Sequence, residues 1–231
     1  MNRLAIFDCD GTLVDSQSNI VNAMTEALAM EGLPPLPRAA VLSIVGLSIL
    51  EAVTALLPDQ DPDTHRRIAR AYKTAFHAQR ARGEIHEPLY DGIATAIDTL
   101  AAAGWRLGVA TGKSDRGLAL CLAHHGLTDR FVTLQTADRH PSKPHPSMIR
   151  LAMAEAGAGP ETTVMIGDTS FDVAMGVAAG VTTVGVTWGY HPAAALIAHG
   201  ATHIATHPDQ IAPLIAPLIA PSAALPASET V

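Results

Sequence analysis

The chain has few aromatic residues, four Phe, three Tyr and two Trp among 231 residues of which 48% are hydrophobic. Its core must therefore be built mainly from Ala, Leu, Ile and Val, a supply that suits strands alternating with small-residue helices. Long apolar runs are missing too. No window approaches 18 uninterrupted apolar residues, so no membrane partner is expected, and the opening MNRLAIFDCDG reaches a charged Asp too soon for a signal-peptide core. A cytoplasmic protein is the expectation from that reading. The net charge is -7 with no long run of Lys or Arg, which argues against a nucleic-acid partner and means that any phosphate must be met locally. The two cysteines, Cys9 and Cys121, form neither a CxxC pair nor a disulfide framework and read as reduced apolar fillers.

What the chain does have is a repeated strand and helix alternation. The apolar run at residues 4–7 ends abruptly in DCDGT, as a buried strand opening into a turn would. Similar runs recur at residues 106–111 (RLGVAT), 162–168 (TTVMIGD) and 182–188 (TTVGVTW), with a weaker one at 131–135. Helical stretches at 93–103, 116–124, 147–156 and 171–179 lie between them, most ending at or near Gly. The pattern predicts an α/β fold with a doubly wound parallel sheet. Ligands of such sheets gather beyond the carboxyl ends of the strands, where Asp8, Asp10, Thr111 and Asp168 all fall.

Residues 15–88 break the alternation, with helical runs at 20–30 and 65–80 and no convincing buried strand. They read as a helical insert that divides the core into residues 1–14 and 89–210, with hinges near Ser16 and over residues 88–92. Beyond residue 210 the chain repeats APLI-like units with a proline every four residues, so 211–231 are expected to form a disordered tail without regular helix.

Hydrolysis of a stable phosphomonoester needs a nucleophile, a proton donor for the leaving oxygen, a metal, and cations for the phosphoryl oxygens. Asp8 and Asp10 stand two apart at a strand end, and flexible Gly11 lets both face one pocket, so one can attack while the other moves a proton. Asp168 and Asp172 are four apart, and a helix beginning near Thr169 turns both toward the same mouth.

DCDGTLVDS, Thr111 in ATGKS, Lys143 in SKPHP and GDTSFD, in this order and spacing, resemble the four motifs of the haloacid dehalogenase superfamily. The resemblance covers roughly residues 4–190, and the insert between the first two motifs looks like the C1 helical cap seen in phosphoglycolate phosphatases. It implies a Rossmann-like core and hydrolysis through an aspartyl phosphate on Asp8, with Asp10 protonating the leaving alcohol and then activating water. It further implies that Thr111 bonds a phosphoryl oxygen and that Lys143 neutralises charge on the nucleophile and phosphoryl group. Magnesium would be held by Asp8, Asp168, the backbone carbonyl of Asp10 and, directly or through water, Asp172. The substrate it suggests is a small phosphomonoester, with phosphoglycolate foremost.

Plainer roles stand beside these. Asp172 could support a helix start, Thr111 could cap a helix, and Lys143 could be a solvated loop charge. Lys113, Ser114 and Asp15 fit capping or surface roles as well as substrate contact and are left outside the catalytic set. His199, His203 and His207 recur at four-residue spacing, but Gly200 and Pro208 interrupt a helix there and no acidic or Cys ligand completes a zinc site. Residues 188–191 (WGYH) read as packing and are assigned no role. The rival functions are a phosphosugar mutase of the same superfamily, disfavoured by Thr12, a haloalkanoate dehalogenase, disfavoured by Asp10, and a non-catalytic module binding phosphate and magnesium. Ala-rich helices leave a monomer and a homodimer equally open.

Overall fold

Strand β1 (Asn2–Phe7) is hydrophobic at every position from Leu4 to Phe7 because both of its faces are covered. Leu4 and Ile6 face one buried cluster, with Met148, Ile149 and Met165, while Ala5 and Phe7 face another, with Ile93, Ile97 and Leu100. The period of two sorts one short strand into two cores. The computed structural model describes residues 2–219.

After β1 come four helices, α1 (Gln17–Met30), α2 (Arg38–Leu42), α3 (Ile49–Leu56) and α4 (Pro62–Ala81). The alternation then resumes: α5 (Ile93–Ala102), β2 (Arg106–Thr111), α6 (Asp115–His124), β3 (Thr133–Thr136), α7 (Ser147–Ala156), β4 (Ala158–Gly167), α8 (Ser170–Ala179), β5 (Thr182–Val186), α9 (Ala193–Ala198) and β6 (His203–Ala205), ending in α10 (Ile211–Ile215). The six strands form one parallel sheet in the order β3-β2-β1-β4-β5-β6. The chain winds outward from β1 to one side and returns at β4 to wind to the other. The crevice between the carboxyl ends of β1 and β4 is thus the switch point at which doubly wound sheets bind ligands.

Helices α1 to α4 own a separate hydrophobic cluster, built on Ile20, Met24, Leu28, Val53 and Ile68. Asp61 caps α4 by accepting from the backbone N–H groups of Asp63 and Thr64, with Pro62 in the first turn where no N–H is needed. The chain enters and leaves this segment through adjacent backbones, Asp15 N donating to Pro88 O at 2.8 Å and Tyr90 N to Leu13 O at 3.0 Å.

Several expected boundaries shift. Strand β3 starts at Thr133, and the three-residue β6 was too short and too polar at its start to be read from sequence. Helix α2, with five residues, is too short to show a period, whereas α3 carries one in Ile49, Ala52, Val53 and Leu56 and was an available signal. The expected tail starting at residue 211 is corrected: Ile211–Ile215 is helical, and Ile211 and Ile215 are fully buried against the core. Pro213 is tolerated because it falls in the first turn, where backbone N–H groups have no partner within the helix. A 3-10 turn follows over Ala216–Ile219. The rest of the expected tail, residues 220–231, lies outside the described residues.

Candidate active site

Asp8 follows β1 and is buried. Its Oδ1 accepts from the Cys9 N–H at 2.6 Å and lies 3.0 Å from Lys143 Nζ, whereas its Oδ2 is buried with no hydrogen-bond partner. Asp168 follows β4, the next strand in the sheet. Its Oδ1 accepts from the Thr12 hydroxyl and its Oδ2 from the Tyr190 N–H, both at 2.8 Å. Gly11 makes this approach possible. Its φ is +85°, and a Cβ there would fall 2.2 Å from Asp168 Oδ2.

Asp172 combines the two readings that the sequence left open. Its Oδ2 accepts from the Thr169 N–H at 3.1 Å and the Thr169 hydroxyl at 2.7 Å in a capping box that starts α8, while Oδ1 meets Lys143 Nζ at 2.6 Å. The helix start thereby fixes the carboxylate that faces the site. Lys143 lies between Asp8 and Asp172 with its side chain wholly buried, so the solvated-loop alternative does not hold.

Asp8, Asp168 and Asp172 can each offer a carboxylate oxygen within 4.8 Å of the others, and Lys143 is the cation directly paired with them. Burial pushes the Asp8 carboxyl up to about 7, with Lys143 opposing and Asp172 and Asp10 adding to the shift. Burial also drives Asp168 well above the usual carboxylate range, helped by Asp172 and Asp8. For Lys143 burial works against the charge, but Asp172 and Asp8 more than offset it and hold the ammonium form. Three buried carboxyl groups face one ammonium, so ionising all three would leave a surplus of negative charge that a divalent cation could neutralise. The all-oxygen donor set suits a hard cation such as magnesium, and the orphaned Asp8 Oδ2 supplies an oxygen with no other partner.

The Asp10 side chain is not among the three carboxylates that could share a metal ion. Its Oδ1 accepts from the Ser16 hydroxyl and lies 2.8 Å from Lys113 Nζ, which also meets Glu87 Oε1 at 2.7 Å. Arg80 of α4 reaches the other oxygen of Glu87 at 3.2 Å. Lys113 is therefore the main residue that sequence reasoning left out. Its position two after Thr111, on the loop leaving a strand that aims at the site, was the available signal. Thr111 is buried at the end of β2, and its Oγ1 accepts from the Lys113 N–H at 3.2 Å, leaving the hydroxyl hydrogen free to donate.

The WGYH stretch buttresses the site. Trp188 Nε1 donates to Thr12 O at 3.1 Å, the Tyr190 hydroxyl lies 3.0 Å from Ser16 Oγ, and His191 Nδ1 accepts from the Ser170 N–H at 3.1 Å. Ser114 does cap α6, accepting from Gly117 N, and Asp15 accepts from Gln17 N at the entrance to α1. His203 lies in β6, with His199 at the end of α9 and His207 before a 3-10 turn.

Above the carboxylates, between the core loops and α1, α3 and α4, lies a cavity of about 280 Å³ whose lining includes Asp8, Asp10, Thr111 and Lys113. The fold and this site define a class: a doubly wound α/β protein with a buried acidic cluster, compatible with a divalent cation, at the sheet's switch point. Residues 5–186 match the family of haloacid dehalogenase-like hydrolases. The chain is 38% identical to the probable phosphatase IndB of Dickeya dadantii over 83% of its own length and 84% of the relative's. It is 33% identical to a phosphoglycolate phosphatase of Rhodospirillum rubrum, covering 85% of both chains. The crystal structure of a predicted phosphatase from Clostridium acetobutylicum superposes with a TM-score of 0.84 at 25% identity, over 94% of this chain and 99% of that one. The chain belongs to the haloacid dehalogenase-like hydrolase family. No helix among the described residues is long and apolar enough to cross a membrane.

Proposed function

We propose that this phosphatase hydrolyses a small phosphomonoester in a magnesium-dependent reaction that passes through an aspartyl phosphate on Asp8. The observation that carries the proposal is the state of Asp8: one oxygen held by Cys9 N and Lys143, the other buried and without a partner beside two further carboxylates. A buried acceptor left unmatched is costly unless something binds there. Asp8, Asp168 and Asp172, with the backbone carbonyl of Asp10, would hold magnesium, which supplies charge neutralisation and polarises phosphoryl oxygens.

In this reading Asp8 attacks phosphorus and displaces the alcohol, and Lys143 offsets the charge that gathers on the nucleophile and the phosphoryl group. The Thr111 hydroxyl donates to a phosphoryl oxygen. Asp10 gives its proton to the leaving oxygen and then withdraws one from the water that cleaves the acyl phosphate. Ser16 and Lys113 both hold Asp10 Oδ1, so the carboxyl is fixed while Oδ2 remains for the proton. The helical segment of residues 15–88 acts as a cap over the cleft, hinged where Asp15 and Tyr90 pair with the crossing backbone.

Phosphate release from 2-phosphoglycolate, sugar phosphates, nucleotides and pyrophosphate, with magnesium or EDTA, tests the proposal. Release should require magnesium and fall at least about 10³-fold in Asp8→Asn, whose amide is a poor nucleophile. Release that survives in Asp8→Asn refutes the covalent route. Interconversion of sugar phosphates without free phosphate would mark a mutase, and magnesium binding without either reaction a binding module.

A further inference from the structure

The cavity above the carboxylates has two unlike sides. Toward the sheet it is acidic, but toward the cap its walls are apolar, carrying Ile20 and Met24 of α1, Ile49 of α3, and Tyr72 and Phe76 one turn apart on α4. The two rings lie with centroids 6.0 Å apart and planes at 36°, a broad aromatic surface in a chain with only nine aromatic residues. Leu50 and Leu120, two of the few large apolar side chains exposed on the molecule, also line it.

The least exposed cations on this side are paired. Lys113 and Arg80 are the cations nearest the acid, and both are committed, Lys113 to Asp10 and Glu87, Arg80 to Glu87. With Asp10 ionised these two cations meet two carboxylates, so the least exposed ammonium and guanidinium of the walls are both engaged. Lys73, His77 and Arg116 line the cavity as well, but all three are exposed, where a charge held in water adds little to recognition. A carboxylate two carbons from the transferred phosphorus would lose its hydration against walls that are mainly apolar and whose least exposed cations are already engaged. A volume of about 280 Å³ also exceeds what a phosphate and a two-carbon chain fill.

We infer that the preferred ester is that of an uncharged alcohol with an apolar, ring-sized body seated against Tyr72 and Phe76, and not a phosphorylated short carboxylic acid. The inference rests on the phosphatase reading above, which supplies the position of the phosphate. It departs from the phosphoglycolate expectation raised by the sequence, because it follows from the walls that this chain builds and not from its motifs.

Three esters with similar alkoxide leaving groups separate the contributions: ethyl phosphate, benzyl phosphate and 2-phosphoglycolate. With magnesium, kcat/KM should fall in the order benzyl, ethyl, phosphoglycolate, about tenfold or more at each step. Phe76→Ala should shrink the benzyl-to-ethyl ratio to about threefold or less, since the surface that binds the ring is gone. Phosphoglycolate turned over as well as ethyl phosphate, or a ratio unmoved in Phe76→Ala, overturns the inference. Calorimetric binding of the same esters to Asp8→Asn with magnesium keeps the two readings apart. The expected affinity order there with no phosphate released by the parent enzyme would retire the hydrolase and leave the pocket's selectivity standing. An equal or inverted order, or no binding by any of the three, removes the selectivity whatever the enzyme hydrolyses.

Discussion

The two lysines of the site sit in opposite electrical situations. Lys143 faces Asp8 and Asp172, with Asp168 adjoining, at the ends of β1 and β4, where three carboxyl groups stand against one ammonium and all four side chains are buried. Lys113 faces Asp10 and Glu87, with Arg80 completing a balanced set that spans the core, the returning hinge and α4. The first arrangement is incomplete as protein alone and calls for a cation and a phosphoryl group. The second is balanced without a ligand when Asp10 is ionised, so it can hold the proposed acid in place and wall a leaving group.

The contrast breaks first, and by the largest margin, at the lysines. Lys143→Met keeps the side-chain volume but takes from Asp8 and Asp172 their buried cation, and losing one partner of such a network costs about 3–5 kcal/mol. Lys113→Met leaves Arg80 in place and should cost clearly less. Thermal or urea melts of both variants in EDTA check this, and equal losses would mean that the two sets do not differ in charge balance as described.

Metal and pH sharpen the same contrast at a smaller scale. Because burial raises Asp8 to about 7 and Asp168 well above the usual carboxylate range, the folded metal-free protein binds more protons than the unfolded chain from about pH 4 upward. Its stability should therefore fall as pH rises from 5 through 7 and beyond. Magnesium bound to the ionised trio, as proposed, would reverse that trend, and a hundredfold excess over Kd would add about 2.7 kcal/mol, or about 5–10 °C in Tm. Melts over pH 5–8 with EDTA or magnesium measure both effects. A metal-free Tm that rises across this range would show that these carboxyls are not held protonated by burial.

The sheet was legible because LAIF, RLGVAT and TTVMIGD are buried on both faces and read as unbroken apolar runs, and the residues that end them had to stand at one edge. Asp8, Asp168 and Thr111 follow from that geometry alone, whereas Lys143 and Asp172 needed the joint spacing of four motifs. Lys113 was lost because its partner Glu87 comes from a distant hinge, and no local pattern announces a salt bridge between residues 26 apart in the chain. The tail failed for a different reason. Prolines every four residues forbid a helix interior, yet a helix of five residues has almost no interior to forbid, and Ile211 and Ile215 gain burial on one face of it.

The smallest expected effect bears on whether the cap side acts by enclosure alone. Gly112 follows Thr111 and lies beneath the loop before α3, where an added Cβ would come 2.8 Å from Leu47 O and 2.9 Å from Gly46 O. Both are backbone atoms, so Gly112→Ala can be accommodated only if the cap loop lifts by several tenths of an ångström, a strain of about 1 kcal/mol at the mild end of overpacking. The carboxylate trio is untouched by that movement, so magnesium affinity should stay at the parent value. If enclosure positions the ester and excludes water, kcat/KM should drop about 5- to 10-fold for charged and neutral esters alike, because every alcohol loses the same wall. A drop confined to benzyl phosphate would mean that the loop contributes a specific contact to the ring and not a general closure, and unchanged kinetics would show that the cap need not seat on Gly112 for turnover.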